Sequence, residues 1–488
     1  MTVGQFDLVV AANRLPIDVT IGPDGELTTG RSPGGLVTAL EPVLKAQHGA
    51  WVGWAGAPDI TFDPVTVEGI TSIPVALSAQ EIAEFYEGFS NDTLWPLYHD
   101  VISQPQYHRE WFDAYQQVNR RFAEATAEVV APGGVVWVHD YQLQLVPSLI
   151  REMRPDVRIG FFNHIPFPPE ALFAQLPWRR QILMGLLGAD LLGFQRAQDA
   201  ANFRSCVRRL TGLTTRSQYI LVPGPTGQPR QIQASAFPIS LDSAAADAMA
   251  RNPRVQARAR EIRAELGNPD AILFGVDRLD YTKGIPHRLK AYEELLREGR
   301  LPLPGVVLIQ VASPSRGNVT AYQQLREEVE TTVGRITGDF GSLARPAIHY
   351  LHQNQGPEEM TALFLAADVM VVTALRDGMN LVAKEYIAAR TDGRGVLVLS
   401  EFTGAASELH QAIQVNPHNI DGLKDALVRA VNMSPREQRR RMSALRRRVM
   451  THDVAAWADS FLTTLAPDRF QPKQTGGEGT EPPIESDE

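Results

Sequence analysis

The sequence predicts an α/β protein made of two doubly wound, mostly parallel sheets that face each other across a cleft. Three observations carry that expectation. Short apolar runs rich in β-branched residues recur with helix-length spacers, and their continuous rather than alternating apolarity is that of parallel strands covered on both faces. The series breaks once, around Ala234 to Leu241, where Phe237-Pro238-Ile239 precedes a long charge-rich helical stretch. It restarts at Ala271, so the chain runs through one βαβ logic twice. Ligands of such sheets sit beyond the carboxyl ends of the strands, which puts the site in the cleft.

Along the chain, the predicted strands of the first unit are Leu8 to Ala11, Val135 to Val138, Ile159 to Phe162 and Leu191 to Phe194. Those of the second are Ala271 to Gly275, Val306 to Val311, Val369 to Val372 and Val396 to Leu399. A single helical stretch from Ser243 to about Leu266 opens the second unit. Val454 to Leu462 reads as an amphipathic helix that crosses back to the first. The expected division is residues 1–240, completed by 454–469, against 241–453. A tail at 470–488, rich in Gly, Pro, Glu and Thr, has the composition of a disordered segment.

Composition narrows the function. The formal charge of −9, from 47 basic and 56 acidic residues without a long basic run, argues against nucleic acid as the main partner. One cysteine, Cys206, excludes an intramolecular disulfide and a thiolate zinc cluster, and its helical surroundings suggest packing rather than reactivity. Met1 to Gln5 lacks the layout of a signal peptide, and no run approaches the ~18 apolar residues of a membrane span, so a cytoplasmic protein is expected. There is no G-x-x-x-x-G-K-[ST] loop, no G-x-G-x-x-G or H-E-x-x-H, and no Asp-x-Asp pair. The expected partners are small molecules, with no cofactor, no metal and no membrane; a homo-oligomer is left open.

The chemistry gathers where strands end. Gly275-Val276-Asp277-Arg278-Leu279-Asp280-Tyr281-Thr282-Lys283-Gly284 sets a guanidinium and an ammonium at a strand-to-helix turn, a pairing suited to a diphosphate whose charge grows as a bond breaks. Arg376-Asp377-Gly378-Met379-Asn380-Leu381-Val382-Ala383-Lys384-Glu385 follows another strand. After the first strand, Ser32-Pro33-Gly34-Gly35-Leu36 offers close backbone approach to a phosphate ahead of a helix. Asp140 and His164 each follow an apolar run and can bond sugar hydroxyls from the cleft edge. Tyr86 and Trp95 belong to aromatic stretches of the kind that line sugar sites. Arg14 and Arg316, one from each unit, can meet over a second phosphate, separate from the one near Arg278 and Lys283. Each of these residues also has a plain structural reading, as a core aromatic, a satisfied core histidine or a solvated arginine.

Together these stretches resemble the trehalose-6-phosphate synthases, a retaining glycosyltransferase family of GT-B architecture, from about Leu8 to Phe461. The most specific pieces are Phe161 to Pro168, Val276 to Gly284 and Leu375 to Glu385, in that order. The resemblance implies that Arg278 and Lys283 hold the donor diphosphate, Gly35 approaches it through its backbone, and Glu385 accepts the ribose hydroxyls. It implies that Asp377 and His164 hold the donor glucose, helped by backbone groups of Met379, Asn380 and Leu381. Asp140 would bind acceptor hydroxyls. Arg14, Tyr86, Trp95 and Arg316 would take the phosphate of glucose 6-phosphate, with Trp54 a further acceptor-side residue. The implied donor is UDP-glucose by default, with ADP-glucose or GDP-glucose open, and the implied route is front-face transfer with retention.

Three rivals stand beside it. Asp140 and Asp377 would serve a glycoside hydrolase or phosphorylase, although a plain hydrolase has no diphosphate for the paired cations to hold. A catalytically silent sugar-phosphate sensor would need fewer intact charged groups. A pseudo-glycosyltransferase acting on a cyclitol phosphate would share the fold and the motifs.

Overall fold

The computed structural model describes residues 4–21, 27–31, 35–224, 228–301, 303–317, 319–343 and 345–470. Ser32-Pro33-Gly34 and the tail from 471 onward lie outside the described residues. Before the linker come β1 (Phe6–Arg14), β2 (Ile17–Ile21), β3 (Leu27–Arg31), β4 (Gly49–Trp54), β5 (Val65–Val67), β6 (Ile70–Pro74), β7 (Val130–His139), β8 (Arg158–Asn163), β9 (Leu191–Phe194), β10 (Thr214–Arg216), β11 (Tyr219–Val222) and β12 (Arg230–Ala236). After it come β13 (Ala271–Arg278), β14 (Val306–Ser313), β15 (Ile348–Leu351), β16 (Val369–Val372), β17 (Val396–Ser400) and β18 (Ile413–Val415). The helices used below are α1 (Gly35–Ala46), α2 (Ala197–Thr211), α3 (Thr320–Phe340), α4 (Leu381–Ala389) and α5 (Val454–Leu465).

The first large sheet has the order β10-β11-β12-β9-β8-β7-β1-β4-β6-β5 and the second β15-β14-β13-β16-β17-β18. All neighbours in the second are parallel, as are those from β12 to β6 in the first. From β1 the chain moves outward one way through β4 and β6, then returns to β7 and moves outward the other way. The second sheet reverses likewise between β13 and β16. Crevices form where strand order reverses, so the ends of β1, β7, β13 and β16 are where ligands belong.

The eight apolar runs are all strands of these two sheets. The strands that periodicity missed are less apolar or too short to stand out: β12 reads Arg-Gln-Ile-Gln-Ala-Ser-Ala, and β5 has three residues. The single helix expected from Ser243 to Leu266 is two, Ser243–Arg251 and Pro253–Glu265. Pro253 bars helical geometry at the residue before it and starts the second helix, which Asn252 caps by accepting the Arg254 N–H at 3.0 Å. Cys206 is buried in α2, and burial pushes its thiol up to about 12, as suits a packed side chain. Among the described residues no helix is long and apolar enough to cross a membrane.

Helix α5 returns to the first sheet. Phe461 stacks on Trp137 at 4.5 Å between centroids, and Trp457 meets Phe162 edge-on at 5.0 Å. Gly160 and Gly193 make the seat, since a Cβ on either would lie 2.7 Å from a Phe461 ring carbon. The two crossings between the sheets are tied to each other: Trp457 Nε1 donates to Phe237 O at 3.2 Å and Val454 N–H to Leu241 O at 3.0 Å. Phe461→Ala is therefore expected to lower stability by about 3–5 kcal/mol. Gly193→Ala should destabilise as well by unseating the ring, and urea midpoints of the two variants check both; an unshifted midpoint for Gly193→Ala would mean that α5 is not held there.

Candidate active site

The two reversal points open into one cleft of about 660 Å³, lined from the first sheet by Arg14, Tyr86, His139, Asp140 and His164 and from the second by Arg278, Lys283, Asp377 and residues 379–382. Three residues of the site have positive φ without being glycine: Asp140 (72°), Arg316 (46°) and Asn380 (85°). Such backbones persist only where their surroundings over-determine them. Asp140 follows β7 directly, and its Oδ1 accepts the His164 N–H at 3.1 Å, which joins the ends of β7 and β8.

Beneath the cations lies Asp280, a fully buried carboxylate. It accepts Thr282 N–H and Oγ1–H at 3.0 and 2.9 Å and the Tyr322 hydroxyl at 3.2 Å, so it caps the turn that delivers Lys283. Arg316 stands 3.6 Å from it and Arg278 4.0 Å. Burial pushes Asp280 up, but Arg316, Arg278 and Lys283 outweigh it and bring the carboxyl down to about 2.

Lys283 Nζ donates to Asp377 Oδ2 at 2.6 Å, and Asn380 Nδ2 donates to the same oxygen at 3.1 Å. Burial acts to raise Asp377, and these two partners hold it below the usual carboxylate range. Asn380 also caps α4, accepting the Ala383 N–H at 3.0 Å, so the αL turn of Met379-Asn380-Leu381 faces the cleft with a helix N-terminus behind it. The glycine before it is required by contact: a Cβ on Gly378 would lie 2.3 Å from the His164 carbonyl oxygen of the opposite sheet.

Aromatic faces arrange the arginines. The Arg316 guanidinium lies 3.8 Å from the Trp95 ring centroid and that of Arg278 5.4 Å from the same ring. Arg316 also donates to the hydroxyls of Tyr322 and, at 3.2 Å, Tyr141. Arg14 lies 5.0 Å over Trp54, whose ring is 5.6 Å from Tyr86. Arg278 and Arg316 thus share the face of one tryptophan.

The cleft lining brings together Arg14, Tyr86, Asp140, His164, Arg278, Lys283, Asp377, Met379, Asn380 and Leu381. Trp54, Trp95 and Arg316 stand behind it as supports of the arginines or as a buried cation. Gly35 opens α1, whose next residues Leu36 and Val37 line the cleft. Glu385 lies one turn into α4, outside the lining, and burial raises its carboxyl. Sequence reading missed His139, Asp280, Tyr141 and Tyr322. Asp280 lies inside a run already singled out and His139 directly follows the predicted strand Val135 to Val138, and their place at strand ends is the signal that could have found them.

Burial pushes the Asp140 carboxyl up to about 6, against the pull of the His164 and Tyr141 N–H groups and of Arg278. A carboxyl raised in the folded state stabilises the fold below its unfolded value of about 3.9 and loses that contribution as pH rises through 6. Asparagine keeps an oxygen for the His164 N–H and has no charge to desolvate. Asp140→Asn should match the parent's melting temperature near pH ~4 and exceed it by a few degrees above pH ~6.5, which scanning calorimetry checks. A variant that melts lower at neutral pH would contradict this.

The glycosyltransferase family 20 profile matches residues 7–467. The trehalose-6-phosphate synthase of Mycobacterium sp. (strain JLS) is 58% identical over 467 residues, spanning 95% of this chain and 97% of its own. Among solved structures, the E. coli structure bound with UDP-2-fluoro glucose superposes with a TM-score of 0.85 at 36% identity, over 94% of this chain and 98% of the other. The α,α-trehalose-phosphate synthase (UDP-forming) from Burkholderia xenovorans in complex with glucose-6-phosphate gives 0.84 at 34% identity, over 94% and 100%. Sheet order, cleft and relatives agree, and the chain belongs to glycosyltransferase family 20, the trehalose-6-phosphate synthases of GT-B architecture.

Proposed function

We propose that the cleft moves glucose, with retention, from a nucleoside diphosphate glucose to the anomeric hydroxyl of glucose 6-phosphate, giving α,α-trehalose 6-phosphate and the nucleoside diphosphate. UDP-glucose is the default donor, with ADP-glucose and GDP-glucose open. The observation that carries this reading is one cleft lined by Arg278 and Lys283 on one side and Arg14 on the other, with Asp140 and Asp377 in the same lining and Arg316 behind it on the Trp95 ring that Arg278 also meets. One side suits a diphosphate and the other a sugar phosphate. The relatives bound with UDP-2-fluoro glucose and with glucose-6-phosphate support the same two ligands.

In this reading residues 241–453 bind the donor. Arg278 and Lys283 take the diphosphate, the Gly35 backbone approaches it, and Glu385 accepts the ribose hydroxyls. Asp377, His164 and the backbone of Met379 to Leu381 hold the glucose. Residues 1–240 with 454–469 bind the acceptor, its hydroxyls on Asp140 and its phosphate on Arg14, Tyr86, Trp95 and Arg316, with Trp54 beneath Arg14. The glucosyl C1–O bond to the diphosphate breaks as the acceptor O1 bonds to C1 on the same face, and the acceptor proton passes to the leaving phosphate oxygen. The protein's part is charge: the cations meet the negative charge as it grows. We read the reaction as cytoplasmic and as needing no metal.

The test is nucleotide release from UDP-, ADP- and GDP-glucose with EDTA present, with and without glucose 6-phosphate, the sugar product identified by NMR. Release that depends on glucose 6-phosphate and yields an α,α-1,1 disaccharide phosphate is expected; no release with any donor would overturn the reading. Arg278→Ala should lower turnover by about 10² or more, the scale of losing one oxyanion donor. Near-normal turnover in that variant would remove Arg278 from the mechanism.

A further inference from the structure

His139, the last residue of β7, faces its neighbour at the end of β8. Its Nδ1 lies 3.0 Å from His164 Nε2, with the ring planes 26° apart. Exactly one proton can sit between those two nitrogens. Trp137, Phe162 and Trp457 surround the His139 ring, which is 1% exposed, and its Nε2 has no partner among the described residues. An enclosure of this kind favours neutral imidazole, and burial holds both histidines below the ordinary value, His164 at about 3. Two proton orders remain. If His164 Nε2 carried the shared proton, His139 would need its own on Nε2, leaving a buried N–H with nothing to donate to. If His139 Nδ1 carries it, the orphan is only a lone pair. Orphaned buried N–H groups are the rarer of the two, because an unmade donor forfeits its whole hydrogen bond.

We propose that His139 is a positioning residue: by donating Nδ1–H to His164 Nε2 it fixes His164 as the Nδ1–H tautomer, so that His164 meets the transferred sugar as a hydrogen-bond donor. The inference rests on the proposed role of His164 for its functional half, while the proton order stands on geometry alone. Helix α5 takes part in it, since Trp457 packs 6.2 Å from the His164 ring and 6.5 Å from His139. The helix that closes the first unit thereby also encloses the pair.

The experiment reads the ring nitrogens directly. Long-range ¹H–¹⁵N NMR of the full chain with ¹⁵N-labelled histidine, assigned with His164→Gln, should show His164 protonated on Nδ1 and bare on Nε2. Protonation on Nε2 in the parent would overturn the proposal, whatever the variants do. His139→Asn keeps an N–H near the place of Nδ1 and should retain both the tautomer and the KM for nucleotide sugar. His139→Leu removes the donor; it should lose the single tautomer and raise that KM by about tenfold, the scale of one neutral hydrogen bond, with the KM for glucose 6-phosphate unmoved. Equal losses in Asn and Leu variants, or an unchanged tautomer in Leu, would also overturn it. Absence of any turnover would defeat the proposed function and leave the NMR result to decide the proton order.

Discussion

One buried carboxylate holds the charged floor of this cleft. Asp280 has no exposure, yet it stays ionised because two arginines and a lysine surround it and a threonine and a tyrosine fill its remaining acceptor sites. Arginine and lysine chains are long and lose rotamer freedom when they are placed. Here that freedom is already removed: Arg316 is fixed between Asp280, Tyr322 and the Trp95 face, and Lys283 comes off a turn that Asp280 caps. Removing Asp280 would therefore do more than subtract one charge. It would release both the cations and the backbone turn that aims them.

The two sheets meet through the same residues that form the site. Arg376 reaches across to Asp100 at 3.2 Å and Asp199 at 3.4 Å, one residue before Asp377. Lys384, one residue before Glu385, donates to Ile239 O in the linker at 2.8 Å and pairs with Glu408 at 3.1 Å. Gly378 lies against the His164 carbonyl. The segment 376–385 thus carries both the contacts between the sheets and those that form the cleft.

What the sequence reveals follows from what is local in it. Arg278, Lys283, Asp377 and Asp140 lie within a few residues of apolar strands, so strand periodicity alone puts them at the cleft edge. The partners that make them work come from elsewhere in the chain: Tyr322 from α3 on Asp280, Trp95 under Arg316, Trp457 from α5 against His164. No pattern within one window reports such pairings. The same limit holds for the arginines: Arg278 and Arg316 each stand out beside their own strand, but their shared contact with Trp95 is a property of the assembled cleft. The polar strand β12 escaped for a related reason, since its place is set by pairing with β9 rather than by its own apolarity.

A cleft that held cations alone would repel itself. Arg14, Arg278, Lys283 and Arg316 place four positive charges in or under it, and Asp140, Asp280 and Asp377 place three negative ones. Near neutral net charge lets the buried groups exist without substrate, because a lone desolvated charge costs far more than a paired one. The carboxylates divide the work. Asp280 is enclosed and matched by its cations, so it sets geometry, whereas Asp377 holds Lys283 by a bond within the cleft lining. Asp140 is raised by burial and balanced mainly by backbone N–H groups, with Oδ1 on the His164 N–H. The three carboxylates thus differ by environment alone, with the same side chain in each place.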